Sequence, residues 1–176
     1  MALRDDLISV VDKVLSVRLF DAEAFYWNLK KMVDRIFFFH NVIGAHASTP
    51  KQLSQIKFDV PKDKMPRDGQ VAYFNIEHSY PKEIFNGHWC YVFRNLGNTV
   101  LIIPLTSFKE DSAPVKDDVE MEIQVSNFCE DGASKLKIHQ MFCADWLRLD
   151  QRKDPYEVTT DKAIIQEKIK NVLFGA

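Results

Sequence analysis

"GHWCYVFRNLGNTVLIIPLTSF", Gly87 to Phe108, decides the fold. Two apolar runs, HWCYVF and TVLIIPL, flank a polar turn at Asn95–Asn98, which is the pattern of a β-hairpin. Each run is short and rich in β-branched and aromatic residues, as strands are. The second run stops on two hydroxyls, Thr106 and Ser107, and the first opens on an imidazole, His88. In an antiparallel pair the start of one strand lies beside the end of the other. The hairpin therefore brings all three side chains to one end of a sheet.

Working outward toward the N-terminus, "RDGQVAYFNIEHSY" follows a turn at Arg67–Gly69. Val71, Tyr73 and Asn75 alternate with Ala72, Phe74 and Ile76, so this is another strand. A polar loop, Ser79–Gly87, joins it to the hairpin. Toward the C-terminus "DVEMEIQV" alternates as a fourth strand, and "SKLKIHQMFCADWLRL" carries a fifth that ends in a short turn or helix. Thr159, Thr160 or Asp161 caps a closing helix with apolar positions at Ile164 or Ile165, Ile169, Val172 and Leu173. Runs of strands between polar turns argue for an α+β protein built on an antiparallel barrel or rolled sheet.

The N-terminal part reads differently. Leu3, Leu7, Val10, Val14 and Val17 recur at steps of three and four, which is a helical stripe. Asp21 is placed to cap a second helix bearing Phe25, Leu29, Met32 or Val33, and Ile36, with Gly44 as its stop. Pro50, Pro61 and Pro66 then punctuate a polar stretch. The expected organisation is a helical pair over 1–45, a linker over 46–66, and a barrel with its closing helix over 67–176.

Composition sets bounds on this reading. The 176 residues are 46% hydrophobic and 27% charged, with a net charge of −2. A sequence pI near 6.2 gives no basic signature of nucleic-acid binding, although a local patch can hide in a neutral total. The three cysteines, Cys90, Cys129 and Cys143, are odd in number and form no CxxC, which fits a reduced, cytoplasmic setting. No apolar run approaches the roughly 18 residues of a membrane span. Cys129, His139 and Cys143 lack a fourth ligand at a standard zinc spacing, so no metal and no other cofactor is expected.

Three stretches, taken in order, resemble the MazF/PemK family, the toxins of bacterial toxin–antitoxin pairs. "RDGQVAYFNI" is similar to the family's opening strand. "GHWCYVFRN…TVLIIPLTS" is similar to its second strand, variable turn and third strand ending in P-hydrophobic-T-S. "SKLKIHQMFCADWLRL" with the helix after it resembles the closing strand and helix. The resemblance covers about residues 67–174. It implies an SH3-like antiparallel β-barrel (MazF/PemK/CcdB-like) with a C-terminal helix, here carrying an N-terminal helical extension. It implies a homodimer, a partner antitoxin of protein or RNA, and metal-independent cleavage of single-stranded RNA. ToxN/AbiQ-type toxins share the barrel and a similar "PLTS" ending, and some members of the fold poison gyrase instead. A non-catalytic module that binds an antitoxin, RNA or a protein on the same barrel is therefore the alternative.

The resemblance also proposes a site. Thr106 and Ser107 fall where the family places its catalytic hydroxyl. Small hydroxyls fixed at a strand end suit a phosphate. His88 falls where the family has an arginine. An imidazole transfers protons near neutral pH, but it lacks the guanidinium's fixed charge and bidentate fork. Lys82 and Arg94 are the candidates to supply that charge. His78, Tyr80 and Phe85 join them as candidate substrate contacts around the Ser79–Gly87 loop. The family's D-Q pair appears as His139-Gln140, with Gln140 expected to hold the barrel edge.

Overall fold

The structure, a computed structural model, describes residues 3–77, 83–108, 112–128 and 132–175. β1 (Gln70–Asn75), β2 (Gly87–Asn95) and β3 (Thr99–Ser107) form an antiparallel meander. The β2–β3 turn closes because Gly97 adopts φ +88°, open to glycine at no steric cost, and its N–H donates to Asn95 Oδ1 at 2.8 Å. β4 (Glu120–Gln124), β5 (Ala133–Lys137), β6 (Phe142–Asp145) and β7 (Tyr156–Glu157) complete a seven-stranded sheet of order β4-β5-β3-β2-β1-β7, with β6 also on β3.

The stretch expected to hold one strand over 134–149 holds two. A 3₁₀ turn at Ile138–Gln140 breaks it, with Ile138 fully buried at the bend. β6 then pairs with Thr99–Ile102 and β5 with Leu105–Ser107, so one edge of β3 serves both. This double use curls the sheet into an antiparallel half-barrel. The result is a mixed α+β fold.

Strand alternation builds a core on each face of the sheet. Ala72, Phe74, Cys90, Val100 and Ile102 point one way, where Trp146 and Leu149 cover them. The segment before β1 joins this core through Phe58, Val60 and Met65, so residues 58–65 pack as part of the barrel. Val71, Tyr91, Ile103, Leu105 and Leu136 point the other way. There α4 (Lys162–Phe174) closes the core with Ile165 and Ile169. Asp161 caps that helix, accepting from the Ala163 N–H at 2.8 Å.

The N-terminal elements are α1 (Leu3–Ser16), α2 (Ala22–Phe38), a π-helical turn at Phe39–Ile43, and α3 (Pro50–Leu53). Asp21 caps α2 as its sequence predicts. The way α2 meets the barrel is unexpected. Its one buried residue is polar: Asn28, whose Nδ2 donates to Asn86 Oδ1. One heptad later Arg35 pairs with Glu77 at 2.7 Å, and Arg148 reaches the other Glu77 oxygen at 3.3 Å. Glu77 and Asn86 bracket the β1–β2 connection, and both hold positive φ (73° and 67°). That conformation costs a non-glycine residue roughly 1–2 kcal/mol. The α2 contacts and the Asn86 N–H bond to the Glu77 carbonyl at 2.6 Å fix it in place. Burial, the largest influence, pushes the Arg35 guanidinium down from its usual value; Glu77 opposes this and Arg148 adds to it. Among the described residues no helix is long and apolar enough to cross a membrane.

Candidate functional site

The site arises where β2 and β3 part. β2 stays paired with β1 as far as Asn75↔Gly87. Its pairing with β3 ends at Cys90↔Pro104. Proline has no N–H to donate, so the ladder loses a donor there. Beyond it Leu105–Ser107 turn to β5. A groove of about 280 Å³ opens between the strands, lined by Gly87, His88 and Trp89 on one side and Leu105, Thr106 and Ser107 on the other. Phe128 closes it. Gly87 is needed because a Cβ there would collide with the Tyr73 phenol.

His88, Thr106 and Ser107 thus converge as the hairpin register implies. His88 and Thr106 are half-buried and Ser107 is exposed. Burial lowers the His88 pKa from 6.5, against hydrogen bonds to the Phe85 and Leu105 backbone that act the other way. The net result is a neutral imidazole near pH 7, the form that accepts a proton. The same backbone bonds orient the ring.

One wall of the groove was not singled out in the sequence. Trp89 stands at the centre of an aromatic cluster, with ring centroids 5.2 Å from Tyr73, 5.3 Å from Phe128 and 5.0 Å from Tyr156. Lys153 Nζ lies 3.6 Å from the Tyr73 centroid and 5.3 Å from that of Trp89. Such ring pairs prefer edge-to-face geometry, and each adds about 0.5–1.5 kcal/mol beyond area burial. The cluster holds Trp89 rigid beside the imidazole. Its members come from four separate stretches of chain, so only the fold assembles them.

The other candidates are placed as follows. Phe85 is exposed just before β2, and its backbone meets His88. Arg94 sits six residues along β2 from His88, about 20 Å away at strand rise. It faces Asp68 at 4.0 Å and takes no part in the groove. His78, Tyr80 and Lys82 lie outside the described residues. Two lysines that sequence reasoning passed over flank the site. Besides Lys153 there is Lys135, buried and in register with Thr106. Its Nζ donates to the Ala113 carbonyl and lies 4.8 Å over the Phe108 ring.

A larger cavity, about 600 Å³, is lined by Glu77, Glu83, Ile84, Gln140, Cys143 and Arg148, among others. Glu77 is engaged there by Arg35 and Arg148, and Gln140 Oε1 accepts from the Ile84 N–H at 2.8 Å. Gln140 therefore holds the barrel edge. Glu77, Arg148 and Gln140 of this cavity tie structure together, while Glu83, His139 and Cys143 also line it; the smaller groove brings an imidazole together with two hydroxyls. Cys90, next to the groove, is fully buried, and burial pushes its thiol far up. It is not a nucleophile. Among the described residues no group of three or more His, Cys, Asp or Glu side chains is disposed to hold a metal.

No family model matches the chain, and no curated protein matches it in sequence.

Proposed function

We propose that the protein is a toxin-type endoribonuclease of the MazF/PemK kind, an SH3-like barrel that cuts single-stranded RNA without a metal. One observation carries this reading: His88, Thr106 and Ser107 line one groove beside an aromatic wall. Neutral His88 takes the proton from the ribose 2′-hydroxyl. The 2′-oxygen attacks phosphorus, the bond to the 5′-oxygen breaks, and the proton is returned to that leaving oxygen. The products are a 2′,3′-cyclic phosphate and a 5′-hydroxyl. Thr106 and Ser107 hydrogen-bond the non-bridging oxygens as charge gathers on them. Trp89 and Phe128 offer ring surface to a base, a contact worth roughly 1–3 kcal/mol when stacked. An antitoxin, protein or RNA, would occupy the same groove.

His88→Ala should slow cleavage of a single-stranded RNA about 10²-fold or more, with folding intact. Cleavage should persist in EDTA. An unchanged rate in His88→Ala sinks the catalytic assignment. The second reading, a non-catalytic binder on the same barrel, is favoured by a specific observation: none of the described residues lining the groove is Arg or Lys. Wild-type protein that binds RNA or an antitoxin but leaves purified RNA uncut establishes that reading.

A further inference from the structure

The ladder between β1 and β2 runs to Phe74↔His88 and Asn75↔Gly87, so the backbone of His88 is fixed by strand pairing. The imidazole is not. One of its hydrogen bonds goes to the backbone of Phe85, which lies beyond the last pair. Peptide units are planar, so φ at Asn86 turns the Phe85 carbonyl relative to β2. That φ is +67°. A return to the ordinary negative range would swing the carbonyl by roughly 120° and take it away from the imidazole. α2 holds the unusual value in two ways. Asn28, the one buried residue of α2, donates through Nδ2 to the Ala24 carbonyl at 2.8 Å and to Asn86 Oδ1. Arg35 pins Glu77, itself at φ +73°, and the Glu77 carbonyl accepts from the Asn86 N–H at 2.6 Å. The Asn86 carbonyl in turn accepts from the Ile76 N–H at 2.8 Å. Enclosing an amide and a guanidinium costs free energy that an apolar contact would not, and what such contacts add is a fixed geometry.

We propose that Asn28 and Arg35 are positioning residues for His88. They hold the Phe85–Asn86 peptide with its carbonyl on the imidazole, and so set the direction in which the ring faces Thr106 and Ser107. α2 thereby belongs to the machinery of the groove without touching substrate. The role in cleavage rests on the reading of His88 as the base; the hold on the ring does not.

Imidazole nitrogen NMR on the full chain reads the ring directly, and cleavage of a single-stranded RNA reads its use. Asn28→Ala should shift the His88 nitrogens and lower the ring's titration midpoint, because the lost bond is one that favours the charged form. kcat should fall about tenfold with KM unchanged, the mark of a misaimed base rather than a weakened grip on RNA. Arg35→Met should do the same to a smaller extent, since Arg148 still engages Glu77. Asn86→Ala should reproduce the loss, and Asn86→Gly should recover most of it, because glycine takes positive φ without strain. Amide shifts of the β-core residues confirm that each variant is folded. His88 nitrogens that stay in place in folded Asn28→Ala and Arg35→Met overturn the proposal, whatever happens to the rate. An Asn86→Gly protein as impaired as Asn86→Ala overturns it too. His88 nitrogens that move in these variants, with a wild type that leaves RNA uncut, support the positioning and remove only the cleavage reading.

Discussion

α4 and α1 are helices of 13 and 14 residues, and they have opposite fates. α4 sinks Ile165 and Ile169 into a core already walled by β-strand residues. α1 buries nothing. α2 lies between these extremes: it is attached, but by an amide and a guanidinium rather than by its apolar stripe. An apolar stripe thus predicts that a helix forms, not what it rests on. A helix that meets the barrel edge-on through polar groups leaves its apolar face for something else.

That contrast is open to breakage at several points. The largest effect belongs in the barrel. Trp146 is 2% exposed, packs on Phe74 and donates its indole N–H to the Gly97 carbonyl at 3.0 Å. Trp146→Ala should cost about 3–5 kcal/mol in urea unfolding. A loss near zero would mean that this core does not carry the barrel.

The junction should be intermediate. Arg35→Met leaves one oxygen of Glu77 without its closer partner, at a cost of about 1–2 kcal/mol. Native-state hydrogen exchange should show the loss around Glu77 and Asn86. Unchanged exchange there would mean α2 is only resting on the barrel.

The groove sharpens the comparison through pH. Because the His88 pKa is lowered by burial, its proton-accepting form persists below pH 6.5. Cleavage should stay on its plateau through that value and fall only at lower pH, with an apparent pKa below 6.5. The same sign applies to stability. A depressed folded pKa contributes stability above the unfolded value that is lost as pH falls through the folded one. A rate–pH profile breaking above 6.5 would remove His88 as the base.

The smallest effect is expected at the N-terminus. Removing residues 1–20 should change the unfolding free energy of the rest by less than about 0.5 kcal/mol, since α1 buries no side chain. A larger loss, measured on monomeric protein, would show that α1 packs on the barrel in solution.

Much of this was legible in the sequence because it is local. Asp21 and Asp161 are caps whose side chains reach only two or three residues ahead. The hairpin is set by its turn and alternation, and its register directs His88 and Thr106 to the same end of the sheet. What escaped is non-local. Lys153 reaches Trp89 across more than sixty positions of chain, and no spacing rule joins them. Nothing local marks Asn28 or Arg35, since polar helix positions usually face solvent. Their partners, Asn86 and Glu77, lie on a loop whose path the sequence does not fix. The break at Ile138–Gln140 is marked only by a lapse in the alternation, two polar residues at His139 and Gln140 followed by the apolar run Met141–Ala144, and a lapse that short does not say that the chain turns.

The double pairing of β3 also sets a schedule for synthesis. The chain leaves the ribosome N-terminus first, so β1, β2 and β3 emerge before the strands that complete β3's outer edge. Residues 133–145, which supply both β5 and β6, come last but for β7 and α4. Until they arrive, Leu105–Ser107 have no partner strand, and the groove wall they form is unsupported. Pairings this distant in sequence are slow to form. A nascent chain truncated before Ala133 therefore carries His88, Thr106 and Ser107 without β5 to support the groove wall, and the proposed activity waits on the last quarter of the protein.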